Sequence, residues 1–319
     1  MRANHPTVGR IAEAVRPGAV IERADTVDAG NRRRTTVVGF ADADPIVIQV
    51  GPDPAATRVE ARLRKAIDER TAVPVPTPLG TGTVDREGWL ATPHVSGDDL
   101  HESFTRLDPP GRQRIARSFG CSLATLHDAF QFDAYGPLTV VDDELTVDDG
   151  GDSDATTEWT AWVTAFGRAA LERLPSEFNP VRADVADALA AFDAESAPDP
   201  RLFPWDLRPG NALVSDGRLA AILDWERPLS AAPALSVAKT EYLVADWYVP
   251  GAEARSLREA FRAGYESVRT YPRVRPAHRI AAVVNTAVDS RGAVTNPGYP
   301  PVSRAEAVRF HRRTLERLV

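Results

Sequence analysis

The chain has 319 residues (34.6 kDa), a formal net charge of -7 and a single cysteine, Cys121. That length suffices for one large core or two modest ones, and one thiol excludes both an intrachain disulfide framework and a cysteine-based zinc cluster. An acidic balance whose only basic run is Arg32-Arg33-Arg34 argues against nucleic acid as a partner, and no apolar stretch nears the roughly 20 residues of a membrane span, so a soluble, cytoplasmic protein is expected.

A first helical segment precedes three β-like runs, Ala19 to Val27, Thr35 to Phe40 and Pro45 to Val50, whose turn-rich separators make them a meander. Thr57 to Arg70 then carries Val59, Leu63 and Ile67 at helical spacing, and Val73-Pro74-Val75-Pro76 stops it. Strands are predicted at Leu79 to Val84 and Trp89 to His94, before a turn at Ser96-Gly97-Asp98. From there the pattern is mainly helical. Arg112 to Phe130 repeats Ile115, Phe119, Leu123 and Leu126 as a core-facing stripe, with Cys121 read as a small buried filler. The acidic run over 142–154 reads as a solvated loop, with a cation-attracting rim as its alternative. Further helices are predicted over 157–174, 180–192, 235–247, 253–270, 276–289 and 303–318.

The most informative stretch lies between the helices predicted at 180–192 and 235–247. Phe203-Pro204-Trp205-Asp206-Leu207-Arg208-Pro209-Gly210-Asn211 is followed by apolar Ala212 to Val214, the turn Ser215-Asp216-Gly217-Arg218, apolar Leu219 to Leu223, and Asp224. The spacing of Asp206 and Asn211 alone is a weak signal, but a hairpin after it returns Asp224 beside the loop. One short loop then presents a carboxylate to a substrate hydroxyl and an amide oxygen to a metal, while the second Asp supplies a charged metal ligand from the opposite side. That is the equipment of phosphoryl transfer. An ordinary surface hairpin, with Asp and Asn forming turns, is the plainer alternative.

The block resembles the catalytic segment of the aminoglycoside phosphotransferase family, the protein-kinase-like small-molecule kinases that include choline, homoserine and fructosamine kinases. Its usual form there is His-Gly-Asp-x-x-x-x-Asn followed by Ile-Asp-Trp or Ile-Asp-Phe; Pro204 and Trp205 replace the His and Gly here. The resemblance implies an α+β, two-lobed protein-kinase-like fold, with a β-rich nucleotide lobe over 1–95 and a helical catalytic and substrate lobe over 96–319. It implies ATP or GTP and Mg2+ as cofactors and a small-molecule acceptor, with Asp206 as the base and Asn211 and Asp224 as the magnesium ligands.

The rest of the nucleotide site follows from the same resemblance. A kinase of this type places a Lys or Arg on the third strand, paired to a helix Glu, against the phosphates. Those positions correspond to Gln49 and Glu60, and alternation in Ile46-Val47-Ile48-Gln49-Val50 turns Gln49 toward the cleft. Gln brings no charge. Two compensations are available: Arg208, two residues after the base, and the turn containing Asn31 and Arg32-Arg33-Arg34, for which solvated arginines are the plainer account. Adenine is expected against Ala91-Thr92-Pro93-His94-Val95, with Ala91, Pro93 and Val95 as its contacts. A kinase that phosphorylates a hydroxyl or amine is the leading reading, and a pseudokinase that binds without transfer is the alternative, for which Gln49 and Pro204 speak.

Overall fold

The computed structural model describes residues 6–27, 33–148, 158–193 and 197–319. Helix α1 (Pro6–Val15) lies on a five-stranded antiparallel sheet built from β1 (Ile21–Val27), β2 (Arg34–Phe40), β3 (Ile46–Gly51), β4 (Gly80–Val84) and β5 (Glu87–Pro93), in the order β1-β2-β3-β5-β4. Alternation gives β3 two distinct faces. Ile46, Ile48 and Val50 are buried with Ile11 and Ala12 of α1, which leaves Val47 and Gln49 on the opposite face, toward the helical half.

Helix α2 (Pro54–Arg70) follows β3 directly. Asp53 caps it by accepting the Ala56 amide at 3.0 Å, and Pro54 supplies a pre-set first turn. Gly88 of β5 lets the helix approach the sheet: a Cβ there would lie 2.6 Å from Thr57 Oγ1 and 2.7 Å from Pro54 Cα. The apolar stripe of α2, Leu63, Ala66 and Ile67, packs into the large core of the helical half rather than the small one under the sheet. The helix therefore ties the two halves together, and its remaining face carries Arg64 to the cleft with Glu60 buried behind it.

The helical half begins with β6 (Asp98–Asp99), α3 (Leu100–Ser103) and α4 (Pro109–Ala129), then the hairpin β7 (Gly136–Val141) and β8 (Glu144–Val147), α5 (Trp159–Arg173) and α6 (Asn179–Ala190). Short strands β9 (Arg201–Phe203), β10 (Ala212–Ser215), β11 (Arg218–Ile222) and β12 (Leu229–Ala231) precede α7 (Pro233–Glu241), α8 (Gly251–Glu266), α9 (Pro276–Val284) and α10 (Arg304–Glu316). Helices α4 and α8 cross through two glycines: a Cβ on Gly120 would fall 2.0 Å from the Phe261 carbonyl oxygen, and one on Gly264 2.0 Å from that of Arg117. Two small sheets, β11-β10-β6 and β8-β7-β12-β9, frame the segment from Phe203 to Leu229 that carries Asp206, Asn211 and Asp224.

Three local expectations are corrected. Residues 144–147 are a strand rather than part of a loop, because Leu138, Val140, Leu145 and Val147 pack against the large core; Asp142-Asp143, both exposed and at positive φ, form the turn from β7 into β8. Cys121 is half-buried rather than enclosed. The helix predicted over 235–247 changes to π-helical spacing at Tyr242–Asp246. Among the described residues, no helix is long and apolar enough to cross a membrane.

Candidate active site

The loop that carries Asp206 and Asn211 is anchored at both ends. Phe203 is buried and pairs with Leu229 across β9 and β12, and Leu207 plugs into the core below the loop. A 3-10 turn over Pro209–Asn211 follows, closed by the Asn211 amide on the Arg208 carbonyl at 3.0 Å. The hairpin then folds back, with Ala212 opposite Ile222 and a turn at Asp216-Gly217, both at positive φ. Its far end is tied to the loop where Leu223 donates its amide to the Asn211 carbonyl at 2.7 Å. Asp206, Asn211 and Asp224 thus line one cleft of about 1240 Å³.

Within that loop the side chains hold one another in place. Arg208 donates from Nε to Asp206 Oδ2 at 2.9 Å, which holds the carboxylate in place. Asn211 donates from Nδ2 to the Asp206 carbonyl at 2.9 Å and to Asp206 Oδ2 at 3.2 Å. Its Oδ1 therefore points away from Asp206, and no described residue donates to it. Trp225 locks the segment beyond Asp224 by donating from Nε1 to the Ile222 carbonyl at 2.9 Å.

Asp224 sits in an unfavourable field. Desolvation between the two halves, then the carboxylates of Glu60, Glu226 and Asp206, push its acid up to about 7. The side chain is open to the cleft, so water tempers that push without reversing its direction. Its backbone adopts φ 55°, a left-handed conformation that a short polar side chain tolerates. No cluster of three or more His, Cys, Asp or Glu with metal-holding geometry occurs among the described residues. Magnesium does not require one, since it commonly takes one or two protein oxygens and completes its shell with phosphates and water. A carboxylate disfavoured by its anionic neighbours, beside a free amide oxygen, fits that demand.

The third-strand position behaves differently from the usual pattern. Gln49 lines the cleft, on the face that alternation assigned to it, but Glu60 is not its partner. Glu60 is fully buried and pairs with Arg33 and with Arg64 of its own helix. Burial alone would raise its acid; the charges of Arg64 and Arg33 outweigh this and hold it below the usual carboxylate range. Arg33 also reaches Glu226, Nε to Oε1 at 2.7 Å, with a side chain only 9% exposed. The account of solvated turn arginines holds for Arg34, which pairs with Glu87 at the surface, and fails for Arg33.

Register explains why Arg33 enters. Thr35 faces Gln49 and Val37 faces Val47 across β2 and β3, so Arg33 shares the cleft face and would lie opposite residue 51. Residue 51 is a glycine, and a Cβ there would stand 2.9 Å from Arg33 Cγ. The missing side chain is the passage through which the guanidinium crosses to Glu60. Alternation along 33–37 was the available sequence signal; the part played by Gly51 was not visible without the register.

The expected adenine contacts separate. Ala91 is withdrawn: it lies in the sheet core, paired with Ile48 and Gly80, and its carbonyl accepts the Leu79 amide at 2.8 Å, so neither side chain nor carbonyl is free for a base. Pro93 lines the cleft but has no N–H, and the His94 amide is taken by the Pro45 carbonyl at 3.0 Å. Val95 lines the cleft beyond the end of β5. Asn31 lies outside the described residues.

At the other end of the cleft stands a residue that the sequence pattern passed over. Lys239 of α7 is 3% exposed and places Nζ 3.6 Å from the centroid of the Trp205 ring. Desolvation brings its pKa down to about 8, against the pull of Asp206 and with help from Arg208 and Arg173. The signal was present: one of only two lysines among 38 basic residues, in a helix whose residues 234–241 are all buried.

With this geometry in view, comparison with known proteins is decisive at the family level. The family model described as "Phosphotransferase enzyme family" matches residues 25–277. The chain belongs to that family. Among solved structures it is similar to aminoglycoside phosphotransferase APH(4)-Ia, at 14% identity and TM-score 0.68 over 98% of this chain and 97% of that one. A putative aminoglycoside phosphotransferase from Ralstonia eutropha JMP134 aligns at 14% identity and TM-score 0.66, over 98% of this chain and 95% of its own. A putative fructosamine-3-kinase from Thermobifida fusca YX-ER1 aligns at 20% identity and TM-score 0.59, over 97% and 98% of the two chains. At these identities the likeness shows the fold, and the fold is the expected antiparallel sheet lobe with a helical lobe. No curated protein sequence matches the chain. Variants of APH(4)-Ia have been solved in ternary complexes with hygromycin B and either ADP or AMP-PNP.

Proposed function

We propose that this member of the phosphotransferase family transfers the γ-phosphoryl group of ATP, with magnesium, to a hydroxyl or amine of a small metabolite in the cytoplasm. The observation that carries the reading is the arrangement of Asp206, Asn211 and Asp224 in one cleft, with Arg208 bonded to the first. Residues 1–95 would bind most of the nucleotide and residues 96–319 the acceptor.

Asp206 would orient the attacking group and accept its proton, and Arg208 would keep that carboxylate aimed while meeting charge on the transferred group. Asn211 Oδ1 and the Asp224 carboxylate would hold magnesium, which when bound neutralises phosphate charge and orients the β- and γ-oxygens. Arg33 would supply the cation that Gln49 lacks. Two of its guanidinium nitrogens are engaged by Glu60 and Glu226, which leaves Nη2 for a phosphate oxygen. Gln49 would add a neutral amide donor, and Val95 with Pro93 would flank the adenine. A cation delivered from the residue before β2 would replace the charge that β3 lacks, which weighs against the Gln49 argument for a binding-only pseudokinase.

The test is ADP release from magnesium-ATP over pooled hydroxyl and amine metabolites. Acceptor-dependent release that disappears without magnesium supports transfer. Tight nucleotide binding with no release above the rate of ATP hydrolysis by water, across a broad pool, would return the chain to the pseudokinase reading.

A further inference from the structure

We infer that the acceptor carries an anionic group, a carboxylate or a phosphate ester, held by Lys239 with Arg173. This rests on the proposed function, since it names the class of molecule that the same cleft would phosphorylate.

Four observations meet at the acceptor end of the cleft. Lys239 is buried, yet no hydrogen bond or ion pair to a described residue satisfies its ammonium, and its near neighbour is the face of Trp205. An ammonium has three N–H donors, a ring face serves as a partner for only one direction, and a buried charge without a counter-charge is unstable. Arg173, at the end of α5, lines the same wall and, among the described residues, bonds only to neutral oxygens, Asn285 Oδ1 and the Ala169 carbonyl, each at 3.2 Å. The carboxylate that could have answered them is committed elsewhere: Asp289 Oδ1 accepts the Arg291 amide at 2.8 Å and the Ala293 amide at 2.9 Å.

Charge therefore selects the acceptor. Asp206 is within electrostatic reach of Lys239 but is already bonded to Arg208 and Asn211, and as the base it must stay free for the incoming nucleophile. An acceptor with a hydroxyl at one end and an anion at the other satisfies both requirements, because the anion draws its tail onto Lys239 while the hydroxyl remains beside Asp206. Trp205 gives the connecting carbons an apolar wall. Amine-rich acceptors such as aminoglycosides, cationic at neutral pH, would meet two unpaired cations and be repelled.

The test uses four six-carbon polyols that differ at one terminal group: gluconate, glucitol 6-phosphate, glucitol and glucamine. Their binding to the nucleotide-free protein is measured by thermal shift at constant ionic strength. Gluconate, glucitol 6-phosphate or both should bind at least about tenfold more tightly than the neutral and cationic polyols. The two acids tell carboxylate from phosphate. Lys239→Met should erase the preference, Lys239→Arg should keep most of it, and Arg173→Ala, at an exposed position, should reduce it should the Lys239 variants fail to fold. No preference for either acid in the wild type, or a preference that survives both Lys239→Met and Arg173→Ala, overturns the inference. Because no nucleotide is present, a protein that binds the acids but releases no ADP with any acceptor refutes the proposed function and leaves Lys239 and Arg173 as an anion-binding site only; transfer to neutral or cationic acceptors alone supports the function and overturns the inference.

Discussion

At one end of the cleft Arg33 is held by Glu60 and Glu226, Arg64 by Glu60 and Arg208 by Asp206, whereas at the other Lys239 and Arg173 have no carboxylate partner among the described residues. The first end sets four carboxylates, Glu60, Asp206, Asp224 and Glu226, against three arginines and leaves Asp224 without a counter-charge; the second holds two cations that no carboxylate among the described residues pairs with. Each end thus names its missing partner by charge: a metal ion for the one and an acidic group for the other. Folding has left both deficits unfilled, at a cost in stability that a bound complex would relieve.

The largest effect is expected at the point where the ends meet. Asp206→Asn should lower turnover by about 10²- to 10⁴-fold, the usual contribution of a general base, while magnesium-nucleotide affinity changes little. Retention of turnover within a factor of about ten would remove Asp206 from that role.

Next comes Arg33. Arg33→Ala should weaken ATP binding by on the order of tenfold to a hundredfold, the value of a charge-assisted hydrogen bond of about 1.5 to 3 kcal/mol, and should destabilise the fold by leaving Glu60 with Arg64 alone. Gln49→Lys in the wild type should alter ATP affinity by less than about threefold, since Glu60 already has its counter-charges. In the Arg33→Ala background the same change should restore much of the lost affinity. Equal effects of Gln49→Lys in the two backgrounds would show that the positions do not share one task.

A smaller effect is expected from Gly51→Ala, which puts a Cβ 2.9 Å from Arg33 Cγ. The guanidinium can give way, so ATP affinity should fall by only a few-fold, roughly the 1 kcal/mol of a modest packing change. Unchanged affinity would mean that Arg33 has another route to Glu60.

The last of the series concerns pH. The acid of Asp224 is raised in the folded protein from 3.8 to about 7, so the native state binds more protons than the unfolded one across that window and stability falls as pH rises through it. Asp224→Asn should therefore raise the nucleotide-free Tm at pH 8 and leave it nearly unchanged at pH 4. A larger gain at pH 4 would reverse the sign and discard the carboxylate field as its cause.

The elements that bear apolar stripes were legible in the sequence, among them α2 through Val59, Leu63 and Ile67 and the hairpin that brings Asp224 to the loop, because periodicity depends only on neighbours along the chain. The Asp206, Asn211 and Asp224 set was legible for the same reason: local spacing built the loop. Arg33 was visible only as one of three adjacent arginines, since its burial depends on a glycine 18 positions later and on a helix carboxylate from a third element. Lys239 was harder still. Its pattern matched a core helix, and only packing against Trp205 revealed a charge where the stripe predicted none. Likewise the β7–β8 hairpin was obscured by its acidic turn, whose charge outweighed the alternation on either side.

The central claim is that Asp224 and Asn211 hold a metal on which nucleotide binding depends, and calorimetric titration with a non-hydrolysable ATP analogue, with and without magnesium, tests it most directly. In the wild type, affinity should rise by at least about tenfold when magnesium is present; in Asp224→Ala that gain should vanish, and in Asn211→Ala it should shrink. Equal affinity with and without magnesium in the wild type, or a magnesium gain unchanged in Asp224→Ala, would contradict the claim.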